Sequence, residues 1–242
     1  MKSPVTTGRT IGILLLLQLA TGLMAPYMML RPLGDLFTYN GNEPAKSFQV
    51  RLSVMLLFLG AAIVMAISFT AWPVLREHTR VVALWVLALA LVNFSLQCME
   101  NAAWMSMFNF SQDYARAAVT DLATYKIVGA SVRSYWKWVH YTHLLFMVIW
   151  MLVLFLAFWR AALIPRVLAG FGVLTTLMQI TGITLPQFIP YPTPPMNVMG
   201  LPLAFAYVAI AGWLIAKGFQ DQEAVSSGQR AVGRRQAPEN EN

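Results

Sequence analysis

Long apolar runs bounded by single charges dominate this chain. Residues 10–30 lie between Arg9 and Arg31, 52–75 between Arg51 and Arg76, 81–99 between Arg80 and Glu100, and 138–159 between Lys137 and Arg160. A fifth charge-free run, 167–216, is too long for one crossing and is interrupted by the Pro-rich QFIPYPTPPMN at 187–197. A helix rises about 1.5 Å per residue, so roughly 20 apolar residues cross a hydrocarbon core of about 30 Å. The pattern therefore predicts an all-α polytopic membrane protein, a six-transmembrane-helix bundle with spans at about 10–30, 52–75, 81–101, 138–159, 164–185 and 198–217. The segment 220–242 is polar and lacks aromatic residues, so it is expected to be a disordered tail. Lys2 and Arg9 ahead of an apolar run also describe a secretory signal. That run is long for such a signal, and the tempting cleavage point after Ala25 has Leu23 in place of a small residue and Pro26 next. A retained signal-anchor helix is the expectation.

Composition strengthens the membrane reading. Of 242 residues, 58% are hydrophobic and only 11% charged, whereas soluble domains carry about 25% charged residues. The net charge of +7 comes from basic residues that flank apolar runs and form no basic-aromatic stripe, so the expected partners are membrane lipids and no nucleic acid. Their distribution also orients the chain. With the termini inside, Lys2, Arg9, Arg76, Arg80, Arg160, Arg166, Lys217, Arg230, Arg234 and Arg235 share the inner side. The remaining seven, Arg31, Lys46, Arg51, Arg116, Lys126, Arg133 and Lys137, spread over longer outer loops. The positive-inside rule then places both termini in the cytoplasm and the protein in the inner (plasma) membrane, with its larger loops outside.

Polar residues inside the spans recur at one level. Asn93, Gln97, Glu100, Asn101 and Trp104 follow helical steps toward the outer end of the third span, and His140 and His143 lie one turn apart at the outer end of the fourth. Gln18 and Thr21 join from the first span, and Thr176, Gln179 and Thr184 from the fifth. Polar groups in hydrocarbon normally face the bundle interior or a wet cavity. The pocket candidates are Asn93, Gln97, Glu100, Asn101, His140, His143 and Gln179. Their plainer role is interhelical hydrogen bonding, worth about 0.6 kcal/mol each, and this is the favoured reading for Gln18, Thr21, Thr176 and Gln179 taken singly. His140, His143 and Glu100 also have a spacing that would suit a divalent metal. The sequence requires no cofactor. Histidine titrates near about 6.5 when unperturbed, so binding at this cluster is expected to respond between about pH 5 and 8.

The single Cys98 excludes an intrachain disulfide and any multi-cysteine metal motif. No phosphate-binding loop, nucleophile elbow or dinucleotide-binding glycine motif occurs. In the outer segment, YARAAVTDLATYKIVGASV at 114–132 is expected to form an amphipathic helix on the membrane surface, with Val119, Leu122 and Ile127 toward lipid or closing over the pocket as a lid. Near the fifth span Pro165 suits a first helical turn, and Gly170 and Gly172 suit close helix approach.

Three stretches, RTIGILLLLQLATGL, HLLFMVIWMLVLFLAFWRAALIPRVLAGFGVL and GWLIAKG, resemble the bacterial six-span membrane family called domain of unknown function 4386. The resemblance runs from Arg9 to about Phe219 and implies six helices. It implies no reaction and no functional residues.

The leading expectation is a bundle that binds a lipidic or amphipathic small molecule in its outer half, or assists a membrane partner there. Alternatives are an embedded enzyme using Glu100, His140 and His143 as acid-base or metal-binding groups, a small transporter, and a structural subunit. Inverted repeats that would mark a transporter are not evident, and a membrane-protein partner or homo-oligomer stays open. The orientation is directly testable. An alkaline phosphatase fusion at the C-terminus should be inactive and one near Asp121 active, and the reverse pattern would overturn the charge argument.

Overall fold

The structure is a computed structural model that describes residues 3–25, 44–189 and 195–220. The expected tail at 221–242, the cleavage context at Pro26, most of the first outer loop and the centre of the Pro-rich break lie outside the described residues. Among the described residues there is no strand, and five helices are long and apolar enough to cross a membrane. They are α1 (Pro4–Leu23), α2 (Pro44–Arg116), α3 (Leu122–Arg160), α4 (Arg166–Thr184) and α5 (Pro195–Lys217). Short 3-10 turns at Val119–Asp121 and Leu185–Gln187 precede α3 and follow α4. Ser3 caps α1 by accepting from the Thr6 amide at 3.2 Å, with Pro4 in the first turn where its missing N–H is harmless. Pro165 stands one step outside its expected place, as the N-cap of α4.

α2 folds back on itself. Along an unbroken helix, residues 54 and 101 would be about 70 Å apart. Instead the Asn101 amide donates to the Val54 carbonyl at 3.3 Å, and the rings of Phe58 and Phe94 sit 5.1 Å apart. The reversal falls at Thr79, whose φ of −149° and ψ of 74° are non-helical. It lies within the polar sequence Arg76-Glu77-His78-Thr79-Arg80, a group of side chains that hydrocarbon would not accept. The arms 44–78 and 80–116 therefore run antiparallel.

Helices pack in chain order, and α5 returns against α1, so the bundle closes into a ring. Two small residues permit that closure. A Cβ on Gly12 would stand 2.8 Å from the Ala211 carbonyl oxygen and 2.9 Å from the Leu214 Cβ, while one on Gly8 would strike the Phe219 amide nitrogen. Glycines four apart let backbones approach closely where the hydrophobic effect gives helices no reason to associate. Gly218, in the left-handed region at φ +72°, ends α5 and abuts the Val5 backbone. Gly172 also has its expected role, facing Ile210 and Phe155, but Gly170 faces open space and serves no close approach. Trp150, Phe155, Phe158 and Leu154 of α3 fill the core with Ile67 and Leu75 of α2. The outside is apolar too: Phe69, Trp85, Val167 and Phe205 are all more than half exposed. Such a surface suits lipid and would be a liability in water.

The outer segment departs from expectation. Residues 122–137 do not form a separate surface helix; they continue into the rest of α3, whose 39 residues extend about 58 Å, nearly twice a hydrocarbon core. Residues 102–116 of α2 run alongside, with Trp104 against Trp136 at 4.8 Å and Phe110 against Tyr125 at 5.5 Å. Aromatic contacts across the pair take the place of contacts with a membrane surface. Ile127 is exposed, as expected, and nothing is described of the Val119 side chain.

The α1–α5 contact yields a stability test. Replacing Gly12 with Leu should destabilise the bundle by about 1–3 kcal/mol through overpacking, seen as a lower thermal midpoint. Gly212→Ala, at a position with no atom within 4 Å of the new Cβ, should leave the midpoint unchanged or raise it.

Candidate functional site

Glu100 projects from the second arm of α2 toward α3 and is buried there. Its Oε1 lies 2.7 Å from His140 Nδ1 and its Oε2 lies 2.6 Å from His143 Nδ1. The i, i+3 spacing of the histidines puts both rings on one face of α3, where a single carboxylate spans them. An ionised carboxylate only accepts, so each Nδ1 donates to it; a neutral ring then keeps a lone pair on Nε2, and a protonated ring donates from both nitrogens. These are short, charge-assisted bonds of the kind that offset removal of a carboxylate from water. His140 is further fixed by stacking on Trp136, at 5.3 Å and 15° between planes, and Trp136 packs in turn on Trp104.

The cluster opens onto a cavity of about 630 Å³ whose lining draws on all five helices. Asn93, Gln97, Glu100 and Trp104 descend one side through about 16 Å of helix. Leu57, Val64, Leu144, Met147, Met151 and Leu203 supply apolar wall. Four lining residues hold a buried polar atom without a hydrogen-bond partner: Asn93 Oδ1, His143 Nε2, Gln179 Oε1 and the Tyr207 hydroxyl. Each such atom normally costs about 1–3 kcal/mol.

Six of the seven candidates therefore line one space: Asn93, Gln97, Glu100, His140, His143 and Gln179. Asn101 does not. It accepts from the Gln97 amide at 2.9 Å and donates to Val54, so it ties the arms of α2 together. Gln18 and Thr21 also reach the cavity, although interhelical bonding is the expected role; Thr21 donates to the Gln18 carbonyl within its own helix. Thr176 and Thr184 bond back to carbonyls of α4, at Gly172 and Ile180, and stay outside. His78 bonds the Val74 carbonyl beside the α2 reversal, about 30 Å of helix from Glu100. Both Glu100 oxygens address Nδ1 atoms, which makes the carboxylate an orienting partner of the imidazoles. Among the described residues no set of three or more His, Cys, Asp and Glu is arranged to hold a metal ion. Sequence reasoning missed Tyr207. Its signal was a phenol deep within α5, far from the interfacial level that tyrosines favour.

The geometry ranks the substitutions. Glu100→Ala removes the acceptor from both imidazoles and should destabilise most, by about 1–3 kcal/mol or more. Glu100→Gln keeps one acceptor oxygen and should cost less. His143, nearly fully buried, should be more sensitive to replacement by Ala than His140, whose side chain is 27% exposed. Thermal unfolding of the variants in one lipid environment checks the order, and equal midpoints for Glu100→Ala and the parent chain would contradict the arrangement.

Comparison with known proteins gives one positive result. Neither the curated proteins nor the solved structures include a match. The model of a family described as a domain of unknown function, DUF4386, matches residues 10–218, and since that range takes in the α1–α5 closure and the Glu100 cluster alike, the chain belongs to the DUF4386 family.

Proposed function

We propose that the protein is a six-span inner-membrane bundle, with both termini cytoplasmic, that binds a lipidic or amphipathic small molecule in the cavity beside Glu100. The single observation that carries this reading is the cavity itself: apolar walls with a few polar side chains set among them. Small-molecule sites have this character, with typical volumes of about 300–1,000 Å³. Counting the two arms of α2 as separate crossings supports six spans, and the basic residues at the α2 reversal and between α3 and α4 support the orientation. In that orientation the cavity lies in the outer half of the membrane, within reach of lipids of the outer leaflet.

A second reading, an embedded enzyme, draws on one specific feature. His143 lines the cavity and has its Nδ1 held by a buried carboxylate, the arrangement by which a carboxylate orients an imidazole for proton transfer. No nucleophile is apparent beside it, so binding is the better supported role.

Native mass spectrometry of the chain extracted in nanodiscs tests the binding reading. The parent chain should retain about one amphiphile per chain, and Ala204→Trp, which places an indole in the cavity, should lose it while keeping its helical circular dichroism. An empty parent chain, or an Ala204→Trp variant that retains its ligand, would end this reading.

A further inference from the structure

The close backbone approaches of α1 and α5 lie at one end of their contact. The two helices run antiparallel: an added Cβ on Gly8 would meet the Gly218 and Phe219 backbone, and one on Gly12 the Ala211 carbonyl oxygen at 2.8 Å. A helix turns every 3.6 residues or about that, so two turns onward from Gly12 and two turns back from Ala211 bring Leu19 opposite Ala204. A third turn brings Leu23 opposite Gly200 and Leu201. All five of these residues line the cavity, so along this stretch α1 and α5 border a space in common. Gly22 leaves that space unfilled, since a Cβ there would have nothing nearer than Gln18 Nε2 at 4.0 Å.

Neighbouring junctions are bridged around the same cavity. Thr21 of α1 stands against Gly60 of α2, where an added Cβ would come 2.8 Å from the threonine hydroxyl oxygen. Gln179 of α4 stands against Gly200 of α5, where the corresponding distance to Oε1 is 3.0 Å. Glu100 ties α2 to His140 and His143 of α3. The α1–α5 seam has apolar rims instead. Leu23 is 47% exposed and Leu201 59%, although both line the cavity, so each borders the space inside and the surface outside. Phe205, one turn from Leu201, is exposed as well. No Lys, Arg, Asp or Glu occurs at 10–25 or 195–216. A hydrocarbon chain crossing this seam strips water from no charged group, whereas a charged solute crossing it would lose its own water and meet no partner.

Resting on the binding reading above and deepening it, we propose that the seam between residues 19–23 of α1 and 200–204 of α5 is the entrance to the cavity, and that it admits an acyl chain sideways from the bilayer. The guest is thereby an amphiphile already dissolved in the membrane, and not a solute delivered from water. Leu23 and Leu201 flank the passage, and Leu144, Met147 and Met151 of the α3 wall receive the chain.

A reversible staple across the seam tests the entrance. Full-length protein carrying Cys98→Ser, Leu23→Cys and Leu201→Cys is placed in phosphatidylcholine nanodiscs beside the parent chain, so that no third thiol competes for the reagent. A short bis-methanethiosulfonate joins the two rims, and dithiothreitol releases them. The probe is the methyl ester of a diazirine-bearing stearic acid, added after joining and then photolysed. Its insertion is mapped by mass spectrometry at Leu144, Met147 and Met151, with the exposed Phe205 as internal standard. Insertion at the three α3 positions should occur in the parent and unjoined chains, be lost in the joined chain and return with dithiothreitol, while labelling of Phe205 stays constant. Insertion that persists in the joined chain would put the entrance elsewhere and leave the binding reading standing. So would failure of the reagent to join the pair, because Leu23 and Leu201 would then not face each other across a seam. Labelling of Phe205 in the parent chain without insertion at any of the three α3 positions would overturn both.

Discussion

A carboxylate buried between two imidazoles is the constraint on which the pairing of α2 with α3 depends. In water Glu100 could turn to solvent and the helices carrying it could slide past each other at little cost. In hydrocarbon an unpaired carboxylate is costly enough that its partners must be in place whenever the helices are. His140 and His143 accept one geometry only, with both Nδ1 atoms at bonding distance from different oxygens of the same group. The pairing sets the register of the second α2 arm against α3 and carries it outward into the Trp104–Trp136 contact. It also decides the chemistry offered to the interior, since binding both Nδ1 atoms leaves the two Nε2 atoms as what the histidines have left to present.

The end of the bundle that carries the start of α1 is held by other means. There α1 and α5 meet through Gly8, Gly12 and Gly218, with backbone against backbone, and Arg9 donates across the contact to the Ala216 carbonyl at 3.5 Å. Dispersion between closely placed helices does at that end what charge-assisted hydrogen bonds do at the other. The cavity lies away from this closure, reaching α1 at Gln18 to Leu23 and α5 at Gly200 to Tyr207.

Much of this was legible in the sequence, and the misses have physical causes. Helical spacing identified the face of α2 carrying Asn93, Gln97 and Glu100, and charge placement identified the depth shared with His140 and His143, because both follow from geometry within one helix. Asn101 was misplaced by the same reasoning. It follows Glu100 by about 100° around the helix, and spacing alone does not say that the neighbour on that side is the first arm of α2, at Val54. Tyr207 was overlooked because tyrosine in a membrane protein is read first as an interfacial anchor, and only the packing of α5 against α1 and α4, with the Tyr207 ring against Phe155 of α3, shows it buried. The surface helix expected at 114–132 failed for a related reason. Arg133 and Lys137 end the apolar run, but a helix whose backbone bonds are internal need not stop where the hydrocarbon does, and an aromatic partner lay alongside in residues 104–114.

The distribution of satisfied and unsatisfied polar atoms is what separates a site from structural bonding here. Gln97, Asn101, Ser68, Trp150, Thr175 and Thr176 are buried or nearly so, and each has a hydrogen bond within the protein, which is what interhelical glue requires. Asn93, His143, Gln179 and Tyr207 are polar residues of the same kinds, yet among the described residues each keeps an atom unpaired, and all four residues line one chamber. Random imperfection would scatter such atoms through the bundle. Thr79, Trp136 and Trp213 also hold such an atom, and none of the three lines the cavity. Four of the residues that keep such an atom line the cavity, and one of them, His143, is oriented by a carboxylate whose only hydrogen-bond partners among the described residues are the two histidines.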